Sequence, residues 1–292
     1  SIDVKDANVT LIGINGNITL DNAISKTGGN EEITITIQAD EDISLTNGGD
    51  ITSSSGIMNV ILNSDRDGNE EGKISLSQTT ITTLGGYFVA GGGSGTLGGA
   101  DGILGNGDGT GADDNFAYTT KAAANGIEIA YADITTSGGN AIMHGYAKGA
   151  GTSKGLRLYE TTLSTGNGQI NLSGISTGDT GSPTGIAFVG DDGDPVTLLT
   201  TGGNIDLTAS ASNHVGLSIW ENTSITTTDG NITITATSSS TDDFYTGGAT
   251  PEHEISSTNG NITINADEVR LDDLSTLYAG NTLSFFTIDP TT

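Results

Sequence analysis

The chain has 292 residues, of which 45 are glycine, 4 are proline and none is cysteine. Its 36 acidic side chains outnumber its 9 lysines and arginines, and the net charge of −27 disfavours binding to nucleic acid or direct insertion into a membrane. The lack of cysteine excludes disulfides and thiolate metal sites, and no apolar run approaches the roughly 18 residues of a membrane span. Because aromatic residues make up 5% of the chain, the core must be built from Ile, Val, Leu and Ala.

A short phrase recurs along the chain: Gly, then Asn, Asp or Gln, then an aliphatic residue. Copies begin at Gly16, Gly49, Gly139, Gly168, Gly203, Gly230 and Gly260. The last four copies are separated by 35, 27 and 30 residues (168 to 203, 203 to 230 and 230 to 260). Irregular repeats near this length are typical of a solenoid coil that keeps its strands while its loops vary.

Each repeat contains short runs in which apolar and polar residues alternate. Examples are Val215–Ile219, Ser224–Thr226 and Asn231–Thr235, with Asp229-Gly230 as a turn pair before the last of them. A period of two indicates strands, and such pairs supply the positive φ angles of sharp corners. Antiparallel hairpins in a sandwich are the alternative, but a sandwich of this length usually places large aromatics at its centre.

We therefore predict an all-β fold, a right-handed parallel β-helix (β-solenoid) of roughly ten coils, with residues 1–292 as a single domain. The glycine-rich residues 85–126 depart from the repeat pattern, which predicts a long loop insertion there. Shorter projections are predicted at 190–195 and 238–254.

One phrase carries a family resemblance. The run Ile61-Leu62-Asn63-Ser64-Asp65-Arg66-Asp67-Gly68, continuing to Gly72-Lys73-Ile74-Ser75-Leu76, resembles a phrase common in filamentous-haemagglutinin-like exoproteins. The Gly-Gly-Asn-Ile stretches followed by Thr-rich strands are also similar. The resemblance covers nearly the whole chain as a style of repeat. It implies a bacterial two-partner-secretion exoprotein that folds outside the cell as a right-handed β-helix, and therefore a secreted or cell-surface location.

Two loops are predicted to bind calcium, which prefers carboxylate and amide oxygens as ligands: one has oxygen-bearing side chains at every second position, and the other has aspartates in a glycine-rich run that partly matches calcium β-roll repeats. The first set is Asp65, Asp67, Asn69 and Glu71, and the second is Asp108, Asp113 and Asp114. A third, weaker set is Asp191, Asp192 and Asp194. The alternative for each set is a solvated turn between strands. No other cofactor is expected.

Catalysis on a β-helix needs carboxylates, often with a basic residue, converging in a groove. The candidates are Arg157 with Glu160, or the three aspartates at 191–194. Aromatic platforms for sugar rings are few: Tyr131, Tyr146, Tyr159 and Trp220. The histidines at 144, 214 and 253 fall in separate repeats without ligand spacing. We therefore predict no catalytic residues and no enzymatic activity.

These patterns predict a structural or adhesive protein, a rod-like β-helix segment of a large secreted adhesin. Two alternatives stay open: an extracellular filament subunit that polymerises end to end, and a polysaccharide-degrading enzyme. The predicted partners are a second copy of the chain stacked end to end or neighbouring parts of a longer chain, and a glycan or cell-surface ligand.

Overall fold

The computed structural model describes residues 1–93, 116–191, 193–239, 242–248, 252–271 and 275–288. These residues form thirty β-strands and no helix. The strands of the first half are β1 (Ile2–Asp3), β2 (Val9–Gly13), β3 (Ile18–Leu20), β4 (Ile24–Lys26), β5 (Ile33–Ala39), β6 (Ile43–Leu45), β7 (Ile51–Ser53), β8 (Met58–Ser64), β9 (Ile74–Ser77), β10 (Thr80–Thr82), β11 (Phe88–Gly92), β12 (Ala117–Thr119), β13 (Ile127–Ala130), β14 (Asp133–Thr135) and β15 (Ala141–Ala147). Those of the second half are β16 (Lys154–Tyr159), β17 (Thr162–Gly166), β18 (Ile170–Ser176), β19 (Thr184–Val189), β20 (Val196–Thr200), β21 (Ile205–Ala211), β22 (Val215–Trp220), β23 (Thr223–Thr227), β24 (Ile232–Ser238), β25 (Phe244–Gly247), β26 (His253–Ser257), β27 (Ile262–Asn265), β28 (Val269–Arg270), β29 (Ser275–Ala279) and β30 (Leu283–Phe286).

The strands form three sheets that the chain visits in turn. The first sheet has the order β1-β4-β7-β10-β14-β17-β20-β23-β26-β29, and the third has the order β28-β25-β22-β19-β16-β13-β9-β6-β3. The second has the order β2-β5-β8-β11-β15-β18-β21-β24-β27-β30, with β12 also paired to β15. Neighbouring strands are parallel, as β18, β21 and β24 illustrate. Sheets of 10, 11 and 9 strands confirm the predicted parallel β-helix.

Aliphatic side chains stacked from coil to coil fill the interior. In the second sheet Ile170, Ile205, Ile232 and Ile262 are paired in register, and each is 0% exposed. Burying one such side chain contributes about 1.5–3 kcal/mol. The core also contains Phe88, Phe188 and Phe244, but most of it is Ile, Leu, Val and Ala, as the composition predicted.

The recurring phrase builds a corner between the first and second sheets. A Cβ atom on Gly203 would lie 1.8 Å from the carbonyl oxygen of Gly168 on the preceding coil, so this close approach requires glycine. The hydroxyl of Thr200 donates to the carbonyl of Gly203 (2.6 Å). The side-chain oxygen of Asn204 accepts from the backbone N–H of Asn231 on the next coil (2.9 Å). Glycine, threonine and asparagine thus each satisfy one requirement of the corner.

The copies of the phrase do not all mark this corner. Those at 139, 168, 203, 230 and 260 precede strands of the second sheet. The copy at Gly16 precedes β3 of the third sheet, and the copy at Gly49 precedes β7 of the first. The phrase therefore marks the start of a strand but does not by itself determine which sheet that strand joins.

The coil that follows β11 is longer than the coil that follows β18. Phe88 pairs with Ala141, 53 residues later, whereas Ile170 pairs with Ile205, 35 residues later. Within the predicted insertion 85–126, β11 and β12 are strands of the second sheet, and residues 94–115 lie outside the described part of the chain. Strand β25 lies inside the segment 238–254, so that segment is not a plain projection.

Apolar side chains are exposed on the outermost strands of the stack. Leu283, Phe285 and Phe286 of β30 are exposed, as is Ile12 of β2 at the opposite end. In the described part of the chain, no helix has the length and apolar character needed to cross a membrane.

Candidate functional site

The first predicted calcium loop follows β8 and folds around the carboxyl group of Asp65. This residue has a φ of 52° and is 2% exposed. Burial raises the pKa of Asp65 to about 7, although hydrogen bonds from the backbone N–H groups of Glu71, Asn69 and Glu70 oppose the rise. Oδ1 of this carboxyl group is buried without a hydrogen-bond partner among the described residues.

The other members of the set bond to each other. The side-chain amide of Asn69 donates to Asp67 (3.0 Å), and its oxygen accepts from the backbone N–H of Glu71 (2.9 Å). Among the described residues, Asp65 does not belong to any group of three acidic or histidine side chains whose ligand atoms lie within 4.8 Å of one another. Calcium binding by this loop stays a prediction. The second set, Asp108, Asp113 and Asp114, lies outside the described residues.

Three carboxylates do converge at a different place. Oxygen atoms of Glu160, Asp191 and Asp194 lie within 4.8 Å of one another. The carboxylate of Asp191 accepts hydrogen bonds from the backbone N–H groups of Asp194 (2.9 Å) and Gly193 (2.8 Å), which lower its pKa. Asp192 lies outside the described residues. The group offers hard oxygen ligands to a cation, although exposed acidic groups are common without one.

Arg157 and Glu160, the pair considered as candidates for catalysis, do not form an ion pair with each other in the described structure. The guanidinium of Arg157 contacts the carboxylate of Glu128 on the preceding coil at 2.7 Å. Glu128 and Arg157 are register partners in the third sheet and therefore point to the same side, whereas Glu160 follows β16 in a left-handed conformation with a φ of 44°. The turn thus directs Glu160 towards the aspartates.

A groove lies on the outer face of the third sheet. We call it the third-sheet groove. Its floor consists of short side chains in register on β19 and β22, namely Ala187 and Ser218. Both point outwards, yet they are only 2% and 4% exposed, because longer side chains and loops rise around them. The cavity has a volume of about 610 Å³. It is lined by Ala123, Asn125, Thr152, Lys154, Arg157, Ser182, Thr184, Ala187, Val189, His214, Ser218 and Trp220.

Positive charge is concentrated at one wall of the groove. The ammonium group of Lys154 donates to the carbonyl of Thr152 (2.7 Å). Burial lowers the pKa of Lys154, and the nearby charge of Arg157 lowers it further. Burial also lowers the pKa of His214, and the charge of Lys154 adds to that effect. Lys154 therefore lies close enough to both Arg157 and His214 to interact with them electrostatically.

Aromatic rings form the opposite wall. Trp220 is 44% exposed and meets Tyr245 edge to face, with ring centroids 5.5 Å apart. The guanidinium of Arg270 lies 5.0 Å above the ring of Tyr245. These residues extend the groove into an adjoining cavity of about 290 Å³ that shares His214, Ser218 and Trp220 with the first. At the other end, the Arg157 guanidinium lies 4.9 Å above the ring of Tyr159.

The remaining predicted platforms and histidines lie elsewhere. Tyr146 stacks on Tyr118 with centroids 4.6 Å apart, and His144 packs against Phe116, where burial lowers its pKa to about 4. His253 is buried, with its ring nitrogen 3.2 Å from the carbonyl oxygen of Gly247. These side chains pack against the sheets and do not form one site with the groove.

The sequence analysis named several groove residues but did not bring them together. A second repeated phrase could have identified the groove: Gly, an apolar residue, an outward-facing residue and a second apolar residue. It occurs at Gly126-Ile127-Glu128-Ile129, Gly155-Leu156-Arg157-Leu158, Gly185-Ile186-Ala187-Phe188 and Gly216-Leu217-Ser218-Ile219. Aligning these copies places Glu128, Arg157, Ala187 and Ser218 in one column, as the register of the third sheet does.

Comparison with known proteins gives no assignment, because no family model, no curated protein and no solved structure matches the chain.

Proposed function

We propose that the chain is a rod-like structural segment of a secreted or cell-surface bacterial adhesin, and that its role is mechanical. The observation that carries this proposal is the continuity of the three parallel ladders. At the rung between the coils of β20–β22 and β23–β25, the three sheets contribute five, seven and four paired residues. Inter-strand hydrogen bonds run along the rod, so an axial load at a rung is shared by all three sheets.

Coil stacking also fits a protein that projects a ligand-binding surface. At about 4.8 Å per strand, ten stacked strands extend roughly 45 Å along the axis. The nearest-neighbour character of a solenoid lets such a rod grow by adding coils without enlarging its core. The acidic surface, with its net charge of −27, favours solubility of a molecule rich in strands.

Single-molecule force spectroscopy tests the mechanical role. The chain contains no cysteine, so cysteines introduced near residues 1 and 288 give unique attachment points. We expect successive releases of contour length, because each coil of 25–35 residues adds about 90–120 Å when extended. Extension without stepwise resistance would contradict a load-bearing rod. Antibody labelling of intact, unpermeabilised source cells tests the surface location, and labelling that requires permeabilisation would contradict it.

A filament subunit is a second candidate that one observation favours. Leu283 and Phe285 continue the interior columns of Ile262 and Ile264, yet both are exposed on β30. A further coil of the same chain or a second copy would bury them equally well. Electron microscopy and sedimentation with the Phe285→Ser variant distinguish the two: filaments lost in the variant support self-assembly, and separate rods in both proteins refute it.

A further inference from the structure

The third-sheet groove has a charge opposite to that of the molecule. The whole chain contains 9 lysines and arginines against 36 acidic residues. Lys154 and Arg157 line the larger cavity, and none of its described lining residues is Asp or Glu, whereas the adjoining smaller cavity is lined by both Arg270 and Asp242. A local cationic wall in a protein of net charge −27 attracts an anion to this place and not to the surface at large.

The two cations have hydrogen-bonding capacity that suits a carboxylate. An ammonium group carries three donors, and Lys154 uses one of them on the carbonyl of Thr152. The guanidinium of Arg157 carries five donors, and one nitrogen contacts Glu128 at 2.7 Å. Because burial disfavours the charged form of Lys154, an anion placed beside it would recover part of that cost.

The aromatic wall suits a sugar ring. The C–H groups on one face of a pyranose are weakly positive and pack against the negative face of an aromatic ring. Trp220 offers that face while Tyr245 holds it from the side, 5.5 Å away between ring centroids. Hydroxyl and amide side chains along the floor and rim, including Thr184, Ser218 and Asn125, can orient sugar hydroxyls.

The shape of the groove indicates an elongated ligand. The cavities of about 610 and 290 Å³ adjoin at Trp220, and an arginine lies over a tyrosine at each end: Arg157 over Tyr159 and Arg270 over Tyr245. A chain of sugars with a carboxylate on each unit places well-spaced charges along such a groove. Nucleic acid carries one charge per ~1.7 Å of duplex and would be repelled by the acidic surface.

We propose that the third-sheet groove is a binding site for a carboxylate-bearing polysaccharide. Lys154 and Arg157 hold a carboxylate, and Trp220 stacks against a neighbouring sugar. The site recognises the saccharide without cleaving it. This proposal does not depend on the mechanical role, because a stiff rod could lack the site and a flexible chain could have it.

Isothermal titration with a mannuronate hexasaccharide, and with the same hexasaccharide after reduction of its carboxylates to alcohols, tests the proposal. We expect the native chain to bind the acidic probe at least about tenfold more tightly than the reduced one, and more weakly as salt rises. The groove variants Lys154→Gln and Trp220→Ala should each weaken binding at least about tenfold.

Matched controls are Lys148→Gln and Tyr278→Ala, which alter an exposed cation and an exposed aromatic outside the groove. Both should bind within about twofold of the native chain. Circular dichroism confirms folding of each variant. Equal affinity for the two probes, no binding of the acidic probe, or unchanged affinity in both groove variants would overturn the proposal. Release of shorter saccharides during incubation would overturn its assignment as a site of binding without turnover.

Discussion

Replacing Gly203 by alanine adds a single carbon atom, the Cβ, at a corner of the β-helix. The new Cβ would lie 1.8 Å from the carbonyl oxygen of Gly168 and 2.4 Å from its carbon. Carbon atoms in contact normally lie about 3.5–4.0 Å apart, so the two coils must separate by roughly 1.5 Å at this point. The position is therefore expected to be intolerant of any side chain.

The hydrogen bonds across this corner set the magnitude. The N–H groups of Thr201 and Gly202 donate to the carbonyl of Gly166 (2.5 and 3.2 Å), and Ile170 donates to Asn204 (2.9 Å). Each contributes about 0.5–1.5 kcal/mol, so losing all three costs about 2–4 kcal/mol. Alanine recovers about 0.4–1 kcal/mol by restricting the unfolded chain. We expect a net loss of about 2 kcal/mol.

Gly16 provides the matched control, because it begins the same sequence phrase in a different setting. A Cβ on Gly16 meets nothing within 4 Å, so Gly16→Ala should be neutral or slightly stabilising. Denaturant unfolding followed by circular dichroism compares the two variants. Hydrogen exchange locates the effect, and amides of the coils that contain β18, β21 and β24 should lose about 30-fold protection in Gly203→Ala. Two variants of equal stability, or a loss spread evenly over all coils, would refute the argument.

Three further results are expected. Lys26→Met should lower the free energy of unfolding by about 2–4 kcal/mol in denaturant titration, because the buried ammonium group donates to the carbonyls of Lys5 (2.7 Å) and Gly28 (3.0 Å). The control variant Lys148→Met, at an exposed lysine, should change the free energy of unfolding little. The pKa of Asp65 is about 7 in the folded chain, which is higher than its unfolded value, so the folded state holds the proton more tightly. The contribution of Asp65 to stability therefore falls as pH rises from about 4 to 7. Asp65→Asn should remove up to about 4 kcal/mol of that fall in pH-dependent melting, and an identical pH profile would contradict it. If calcium binds the acidic loops, a chelator should lower the melting temperature, and an unchanged melt would refute binding.

Periodicity predicted the fold because the coil is a local property of the chain. The phrase Gly230-Asn231-Ile232 combines a close approach, a bond to the next coil and a core side chain, and all three lie within three residues. The sheet assignment of the early copies could not be predicted in this way. Gly16 is followed by the same three residues as Gly230, Asn-Ile-Thr, but a Cβ on Gly230 would meet the carbonyl of Gly203 on the preceding coil, whereas a Cβ on Gly16 would meet nothing within 4 Å.

The groove was less predictable because it depends on the lengths of successive coils. Lys154 aligns with Thr184 and then with Val215, which lie 30 and 31 residues apart (154 to 184 and 184 to 215). The second interval is one residue longer, and the turns between strands absorb the difference, because a shift of one residue within a strand would exchange its inward and outward side chains. The side chains that stack inside the β-helix therefore determine which side chains lie on its outer face. Leu156, Ile186 and Leu217 must stack inside, and this requirement places the short side chains Ala187 and Ser218 between the cationic and aromatic walls.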